Sequence, residues 1–275
     1  LTWDNPLQLV DGVGGSSQGR MALDPSNDAS DVSLSGAVHV ADGAILSGVF
    51  SRGRWEQNAP FLPFTINSAL APPALPAPSL GGRIDTSLES LNLDLTPSRD
   101  LTLRASYRRY ENDNKTPQLT FGGYVATDNA VAAVPFQTRP TSYSQREGGL
   151  EAVYEASSNL TLTLSADEDT WYRTFRDVSK TRETGVGVTA DYRVKPWLTA
   201  RGSMRASERR IEGAYVPTMP EQLPELRRFD EADRDRDELS FILRAAPPEG
   251  VWDGTFTYTH GRDDYSRSAY GLLRD

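Results

Sequence analysis

Apolar and polar residues alternate along most of this chain, and the alternating stretches come in pairs. Within a pair, a short turn separates two stretches of roughly ten residues, the length that a tilted β-strand needs to cross a bilayer. Long polar segments separate one pair from the next. The pattern predicts five β-hairpins, and their turns are Val40–Gly43, Thr96–Asp100, Ala156–Asn159, Lys195–Trp197 and Pro247–Gly250.

The alternation is clearest in the second predicted hairpin. Leu91, Leu93 and Leu95 alternate with polar residues before the turn, and Leu101 and Leu103 continue the period after it. Successive side chains of a strand point to opposite faces of a sheet, so each strand would have one apolar and one polar face. In an outer-membrane barrel these faces meet lipid and a polar lumen.

The sequence therefore predicts an all-β protein, an antiparallel transmembrane β-barrel of about ten strands in five hairpins. We expect one domain over residues 1–275, with its strands mainly within residues 31–262. A soluble β-sandwich also has alternating strands. Its connections do not normally alternate between four-residue turns and segments of twenty to thirty residues, so the membrane barrel is favoured.

Composition agrees with a barrel and not with a helical membrane protein. Only 37% of the residues are hydrophobic, and the long uncharged stretch at residues 58–82 is interrupted by prolines. A spanning helix would need about twenty consecutive apolar residues without such breaks. A barrel tolerates the low hydrophobic content because only every second strand residue meets lipid.

Charge and cysteine content exclude several classes of function. The net charge of −9 argues against nucleic-acid binding, which needs clustered Lys and Arg. The chain has no cysteine, and therefore no disulfide, thiolate metal site or Cys-x-x-Cys-His attachment for c-type haem. Its two histidines, His39 and His260, lie far apart. We predict that the chain is not an enzyme and binds no metal or cofactor itself.

Aromatic residues near the strand ends suggest contact with the lipid–water boundary. Trp and Tyr favour that boundary because the ring is apolar while its polar tip stays in water. Tyr192, Trp197 and Trp252 lie beside the short turns, and Tyr110, Trp171 and Tyr172 lie near the opposite strand ends. We expect two aromatic girdles, although aromatic residues also favour strands in general.

Five sequence motifs occur in an order that resembles one known family. The resemblance is to the MtrB/PioB family of decahaem-associated outer-membrane proteins, and its motifs are Trp3–Pro6, Gln57–Pro63 with Asn67, Tyr107–Pro117, Leu226–Asp230 through Arg236, and Asp263–Leu272. The family-motif residues that we single out are Asn112, Asp113, Asn114, Thr116, Arg228, Phe229, Asp230, Asp264, Tyr265, Ser268, Tyr270 and Gly271. Together they extend over nearly the whole chain.

The resemblance implies a sheath in the outer membrane of a Gram-negative bacterium. Such a barrel encloses a periplasmic multihaem c-type cytochrome, which can contact an extracellular cytochrome, so that electrons cross the membrane. The haem c belongs to the partner, in agreement with the absence of cysteine. Family members are much longer, and a closed barrel of about ten strands would be too narrow to enclose such a partner. We therefore expect an internal segment of a larger barrel.

Two sets of residues are candidates for contact with the enclosed partner. The first set shares the side opposite the apolar row of its strands and could bind protein or haem propionates by charge-assisted hydrogen bonds: Arg104, Arg108, Arg201, Arg205 and Arg244. These arginines could instead solvate the lumen or pair with Glu151, Glu155 and Asp191. The second set, Phe61, Leu62 and Phe64, lies in a long loop and could dock a partner, plug the mouth or pack on the wall.

Two other functions remain open at this point. A general porin or substrate channel would use the same polar face to select ions, without any cytochrome. A soluble or surface-exposed β protein that binds carbohydrate or protein would leave the membrane fraction without detergent. In the barrel interpretations, the short turns are periplasmic and the long loops are extracellular.

Overall fold

The computed structural model is built from β-strands in the part of the chain that it describes, which is residues 2–4, 18–20, 24–126, 130–217, 230–248, 250 and 252–265. The strands are β1 (Thr2–Asp4), β2 (Gln18–Arg20), β3 (Asp28–Ala41), β4 (Ala44–Gln57), β5 (Gly82–Ser98), β6 (Leu101–Asn114), β7 (Thr120–Phe121), β8 (Tyr124–Ala126), β9 (Ala130–Ala132), β10 (Phe136–Gln137), β11 (Tyr143–Ser157), β12 (Leu160–Arg173), β13 (Lys180–Lys195), β14 (Leu198–Ile211), β15 (Arg234–Ala245) and β16 (Gly254–Asp264). Among these residues, no helix has the length and apolar character needed to cross a membrane.

Ten strands form one antiparallel sheet, in the order β16-β15-β14-β13-β12-β11-β6-β5-β4-β3. Neighbours in the sheet follow one another along the chain, except that β6 pairs with β11. The small strands β7 to β10 lie in the segment between them and pair separately, as do β1 and β2. The prediction of about ten antiparallel strands in five hairpins is thus confirmed. Within the described residues the sheet is not closed, and β3 and β16 are its edges.

Four of the five hairpin turns are tight, as the sequence predicts. Strand β3 ends at Ala41 and β4 begins at Ala44, so the turn has only Asp42 and Gly43 between the strands. Gly43 has φ of 69°, where a side chain would be strained. The fifth connection is longer, because β15 ends at Ala245 and β16 begins only at Gly254. Prolines in this connection cannot donate ladder hydrogen bonds, which shortens the pairing.

The described chain contains two compact units. The first consists of residues 1–31, 53–86 and 113–141, and the second of residues 32–52, 87–112 and 142–275. Within the first, Phe121 is buried at the centre of an aromatic cluster. The second holds the paired strands β11 to β16. The single domain expected from the sequence stays a prediction.

The strand register aligns the apolar residues of neighbouring strands on one face. Residues directly opposite each other in an antiparallel pair point to the same face. One such row runs across β6 and β11 to β15 and contains Leu103, Ala152, Leu164, Val188, Met204 and Leu239. The neighbouring rows contain Leu150, Val186, Phe241 and Tyr258. We call this side of the sheet the apolar face.

Apolar side chains on this face are exposed and not packed in a protein core. Leu164 is 59% exposed and Met204 is 61% exposed, although both lie within their strands and not at the strand ends. Contiguous apolar surface of this extent is unfavourable in water. It has the character of a surface that contacts lipid, as the wall of a membrane barrel requires.

The register corrects part of the aromatic-girdle prediction. Tyr192 and Tyr172 lie on the apolar face, opposite Leu160 and Lys180 respectively. Tyr110 and Trp171 instead share the opposite face, since Gln145 pairs with both of them. The girdle prediction is therefore wrong for Tyr110 and Trp171. The two residues do lie near the strand ends. Which face of the sheet a side chain occupies depends instead on whether its position along the strand is odd or even.

Candidate functional site

The five arginines proposed from the sequence lie on one face of the sheet. In β6, Arg104 and Arg108 are opposite Glu151 and Glu147 of β11. We define the charged face by the residues that share this register across β6 and β11 to β16, namely Arg104, Ser106, Arg108, Glu147, Gly149, Glu151, Asp167, Asp169, Glu183, Gly185, Asp191, Arg201, Arg205, Ser207, Arg209, Arg234, Arg236, Glu238, Arg244 and Asp263. The charged face is the side opposite the apolar face.

Three of the candidate arginines pair with carboxylates of directly neighbouring strands. Arg104 Nη1 donates to Glu151 Oε1 at 2.6 Å, and its Nε lies 3.3 Å from Asp94 Oδ1. Arg201 makes a two-pronged contact with Asp191 at 2.7 and 3.1 Å. These are the pairings with Glu151 and Asp191 that the sequence left open. Exposed pairs contribute only about 0–1 kcal/mol each, so their main effect is to neutralise the wall.

Arg108 follows the same pattern, since its Nη1 donates to Glu147 Oε2 at 3.1 Å. Arg205 differs because it reaches across a whole strand. Its guanidinium passes over β13 and binds Asp167 of β12, with an Nη2–Oδ2 distance of 2.7 Å. A Cβ atom at Gly185 would overlap this guanidinium, so the glycine leaves the space that the contact needs. The contact thus connects β14 to β12 across the intervening strand β13.

Arg244 is the exception among the five candidates. It lies opposite Thr199 and Thr255, near the turn end of β15, and its side chain is exposed. Within the described part of the chain, no carboxylate lies within ion-pair distance of it. Its guanidinium, which is unpaired among the described residues, could pair with an external acidic group. Contact of any of the five arginines with a partner stays a prediction.

At the long-loop end of the sheet the charged face is denser and more buried. Arg234 of β15 reaches across β14 and donates to both oxygens of Glu183 of β13, at 2.7 and 3.0 Å. Ser207 of the intervening strand donates to the same carboxylate at 2.9 Å. Arg236 makes a bidentate contact with Asp263 at 2.5 and 2.6 Å. Paired charges thus cover this end of the wall.

Two connecting segments beyond the strands are joined by a buried ion pair. Arg176, between β12 and β13, donates to Glu231 and, at 2.6 Å, to Asp230. Glu231 is 0% exposed, and its Oε2 atom has no hydrogen-bond partner among the described residues. Burial alone would lower the pKa of Arg176, but the two carboxylates outweigh it and the pKa is raised. We call Arg176, Asp230 and Glu231 the loop clasp.

The motif Asn112–Thr116 forms a turn held to β5. The Oδ1 atom of Asn114 accepts a hydrogen bond from the backbone N–H of Thr116 at 3.1 Å. The Thr116 hydroxyl accepts from the backbone N–H of Arg83 at 3.0 Å, and Asp113 lies 2.6 Å from Lys115 Nζ. This contact raises the pKa of Lys115. Asn112 itself continues β6 and lies opposite Tyr143.

The remaining family-motif residues are only partly described. Asp230 belongs to the loop clasp, Asp264 ends β16, and Tyr265 is buried with its hydroxyl 3.5 Å from Asp263. The other motif positions lie outside the described residues: Arg228, Phe229, Ser268, Tyr270 and Gly271. No group of three or more His, Cys, Asp or Glu in the described ranges is arranged to hold a metal ion.

The aromatic loop residues proposed for docking pack within the first compact unit. The rings of Phe61 and Phe64 both contact Phe121 edge to face, with centroid distances of 5.8 and 6.2 Å. Phe121 in turn stacks on Phe136 at 5.0 Å. Leu62 is exposed. Packing inside the unit accounts for Phe61 and Phe64, and docking of a partner there stays a prediction.

The loop clasp and the contacts that skip a strand were not anticipated from the sequence. Arg176 and Glu231 are 55 positions apart, and Arg234 and Glu183 are 51 apart. Neither pair has a local spacing that distinguishes it from other charges. The one available signal was a glycine in the middle of a strand, Gly185, which often marks a close approach of another group.

A long antiparallel sheet with one exposed apolar face and one charged face defines this chain as part of an outer-membrane β-barrel. The chain belongs to the MtrB/PioB family of outer membrane beta-barrel porins, which it matches over residues 1–275. This confirms the family and the outer-membrane location expected from the sequence. The family is one of membrane barrels and not of enzymes.

One curated relative is the outer membrane protein MtrB of Shewanella baltica (strain OS185). It is 26% identical over 265 residues, which cover 94% of this chain but only 36% of the relative. The chain thus spans about a third of the length of this relative.

Solved membrane barrels are similar at lower identity. OmpT, an outer membrane protein of Vibrio cholerae, is 10% identical with a TM-score of 0.42, covering 86% of this chain and 82% of its own. A FadL homologue of Pseudomonas aeruginosa is 13% identical with a TM-score of 0.40, covering 86% of this chain and 60% of its own.

Proposed function

We propose that this sheet is part of the wall of a larger outer-membrane barrel that encloses a periplasmic multihaem c-type cytochrome. The wall is non-catalytic and holds the haem protein in the membrane, so that electrons pass between the periplasm and the cell exterior. The haem c belongs to the cytochrome, and an extracellular cytochrome is a further partner. Outer-membrane lipid contacts the apolar face, and nucleic acid is not a partner.

The observation that carries this proposal is the pairing of charges on the charged face. Arg104, Arg108, Arg201 and Arg205 are each neutralised by carboxylates of the wall itself. A lumen of this kind is polar but presents little uncompensated charge. It can therefore remain in contact with a protein surface without the desolvation cost of isolated charges.

The open edges of the sheet support a barrel larger than ten strands. All fourteen residues of β3 are exposed, and β3 has only one neighbour within the described residues. An unpaired edge strand of this length exposes backbone hydrogen-bonding groups, which a membrane cannot satisfy. Further strands on both edges would remove this cost. They would also widen the lumen, which becomes spacious at roughly sixteen strands.

The composition and the position of His260 fit a wall that carries no haem. The chain contains no cysteine for covalent haem attachment. His260 lies opposite Leu239 on the apolar face, where its ring points away from the lumen. Haem in the complex would therefore come from the partner. The family resemblance supplies the expectation that this partner is a multihaem cytochrome.

Purification of this protein from detergent-extracted outer membranes tests the proposal. We expect c-type haem absorbance to elute with it in size-exclusion chromatography. An unrelated porin purified in the same way should carry none. If the protein elutes without haem and conducts ions in planar bilayers, it is a channel and the sheath proposal is wrong.

Arginine variants test the charged face in the same experiment. Arg244→Gln should reduce the retained haem about tenfold at limiting cytochrome, because a guanidinium without an ion-pair partner among the described residues can pair with haem propionates or partner carboxylates. Arg104→Gln is the matched control, since Arg104 already pairs with Glu151 and Asp94. Equal haem retention in both variants would show that Arg244 does not contact the cytochrome, even where the wild-type protein retains haem.

A further inference from the structure

Four arginines form a straight row on the side of the sheet that faces outward. The register places Arg109 opposite Arg146, and Arg182 opposite Arg210. Thr170 of β12 connects the two pairs, because it lies opposite both Arg146 and Arg182. All of these positions have the parity of the apolar face. We call Arg109, Arg146, Arg182 and Arg210 the arginine row.

The arginine row lies at the expected outer boundary of the hydrocarbon. On β12 the arginine row passes through Thr170, which lies ten positions after Leu160 at the turn end of the apolar face. With a rise of about 3.4 Å per residue and a tilt of about 40°, this corresponds to about 26 Å along the membrane normal. The apolar band of such barrels is about 25 Å tall, so the row meets the lipid headgroups on the long-loop side.

Like charges directly opposite each other in a sheet destabilise it unless they are compensated. Arg109 is compensated by Glu111, with an N–O distance of 2.9 Å. Arg210 lies 2.5 Å from both Glu208 and Asp235, and Arg182 binds Glu168. These carboxylates reduce the positive charge of the arginine row, but none of them forms an ion pair with Arg146.

Arg146 has no carboxylate within ion-pair distance among the described residues, and its side chain is exposed. Its guanidinium carbon lies 5.1 Å from the ring centroid of Tyr172. The ammonium group of Lys180 lies 5.1 Å from the same centroid. Two cations therefore lie near one aromatic ring at headgroup depth. Among the described residues Glu212 pairs with Lys180 and Arg182, and not with Arg146.

The surface on the membrane side of Arg146 is open. Gly148, two positions along β11, would have no atom within 4 Å of an added Cβ. Tyr107 and Glu168 lie opposite it on the two neighbouring strands. Leu150 follows on the same face and is 64% exposed. An open strip of surface, flanked by Tyr107 and by the Glu168 carboxylate that pairs with Arg182, thus leads from the exposed guanidinium to Leu150.

We propose that Arg146, with Lys180 and the ring of Tyr172, binds the phosphate of an anionic lipid in the outer leaflet, while an acyl chain of that lipid lies along Gly148 and Leu150. A guanidinium suits this role because it donates two parallel hydrogen bonds to a phosphate. The site is on the opposite side of the sheet from the charged face. It therefore does not depend on the cytochrome proposal.

Binding of lipid A to the purified protein in detergent tests this site. Native mass spectrometry should show bound bisphosphorylated lipid A, and affinity should fall about tenfold for Arg146→Gln because the charged hydrogen bonds to phosphate are lost. Arg99→Gln, an exposed arginine in the turn between β5 and β6, is the matched control and should bind as the wild-type protein does. Arg146→Lys should retain part of the affinity, since lysine keeps the positive charge but lacks the two parallel N–H donors of a guanidinium.

Three results would overturn the proposal. Unchanged lipid A binding by Arg146→Gln would show that Arg146 does not bind the lipid. Equal binding of chemically dephosphorylated lipid A would show that only the acyl chains are recognised. Displacement of the lipid by inorganic phosphate at equal concentration would show a site for free phosphate and not for lipid. Heat-modifiable migration of each variant in gels confirms that the binding comparison is made between folded barrels.

Discussion

Replacing Leu164 by arginine is expected to destabilise the folded protein in a membrane by about 2–4 kcal/mol, because the charge would lie near the middle of the bilayer. Leu164 is 59% exposed and lies midway between the turn end of β12 and the arginine row. The measurement is the free energy of unfolding in urea, for protein folded into lipid vesicles, followed by heat-modifiable gel migration.

Thr163→Arg is the matched control for this substitution. Thr163 is adjacent on the same strand but lies opposite Thr189 on the other side of the sheet. We expect a change of less than about 1 kcal/mol there, since an arginine facing a polar lumen stays hydrated. If Leu164→Arg were as mild as Thr163→Arg, the apolar face would not contact lipid. A soluble sheet would then be the better interpretation.

Removing the guanidinium of the loop clasp is expected to have the second largest effect. Arg176→Ala would leave the fully buried carboxylate of Glu231 without its ion-pair partner, at a cost of about 3 kcal/mol. Because the clasp lies outside the spanning strands, the loss should appear as local opening and not as release from the membrane. Hydrogen exchange of residues 174–179 and 230–233 should therefore become faster, while exchange in β12 and β13 is unchanged.

The double variant Arg176→Ala with Glu231→Gln separates charge from packing. The double variant has no unpaired buried charge, so much of the protection from hydrogen exchange in these segments should return. Arg52→Ala is a control, because its exposed contact with Glu89 should contribute little to stability. Unchanged exchange in Arg176→Ala would mean that the clasp does not hold the two segments together.

Local alternation was sufficient to predict the hairpins but not their contacts. Strand β12 could be predicted because Leu160, Leu162 and Leu164 alternate with threonine and serine, and period two determines both the strand and its faces. The pairing of β6 with β11 could not be predicted from local alternation. These strands are separated by a long segment with small strands of its own.

The site illustrates the same limit. The shared face of Arg104, Arg108 and Arg201 follows from strand parity, so the sequence predicted it. The partner of Arg205 depends on a contact that crosses β13 over Gly185, and no local pattern encodes such a contact. The girdle prediction is wrong for Tyr110 and Trp171 for a related reason. Closeness to a strand end does not determine which face of the sheet a side chain occupies.

Single-cysteine labelling tests the central claim most directly, and the cysteine-free chain allows it without background. Ser165→Cys lies on the side of the charged face, opposite Glu151, and Leu164→Cys lies on the apolar face. Each is treated with a water-soluble maleimide in outer membranes prepared with and without the cytochrome.

We expect Leu164→Cys to remain unlabelled in both membranes, because lipid covers it. Ser165→Cys should be labelled without the cytochrome and protected when the cytochrome is present. Labelling of Ser165→Cys at the same rate in both membranes would contradict an enclosed partner, and rapid labelling of Leu164→Cys would contradict the membrane wall itself.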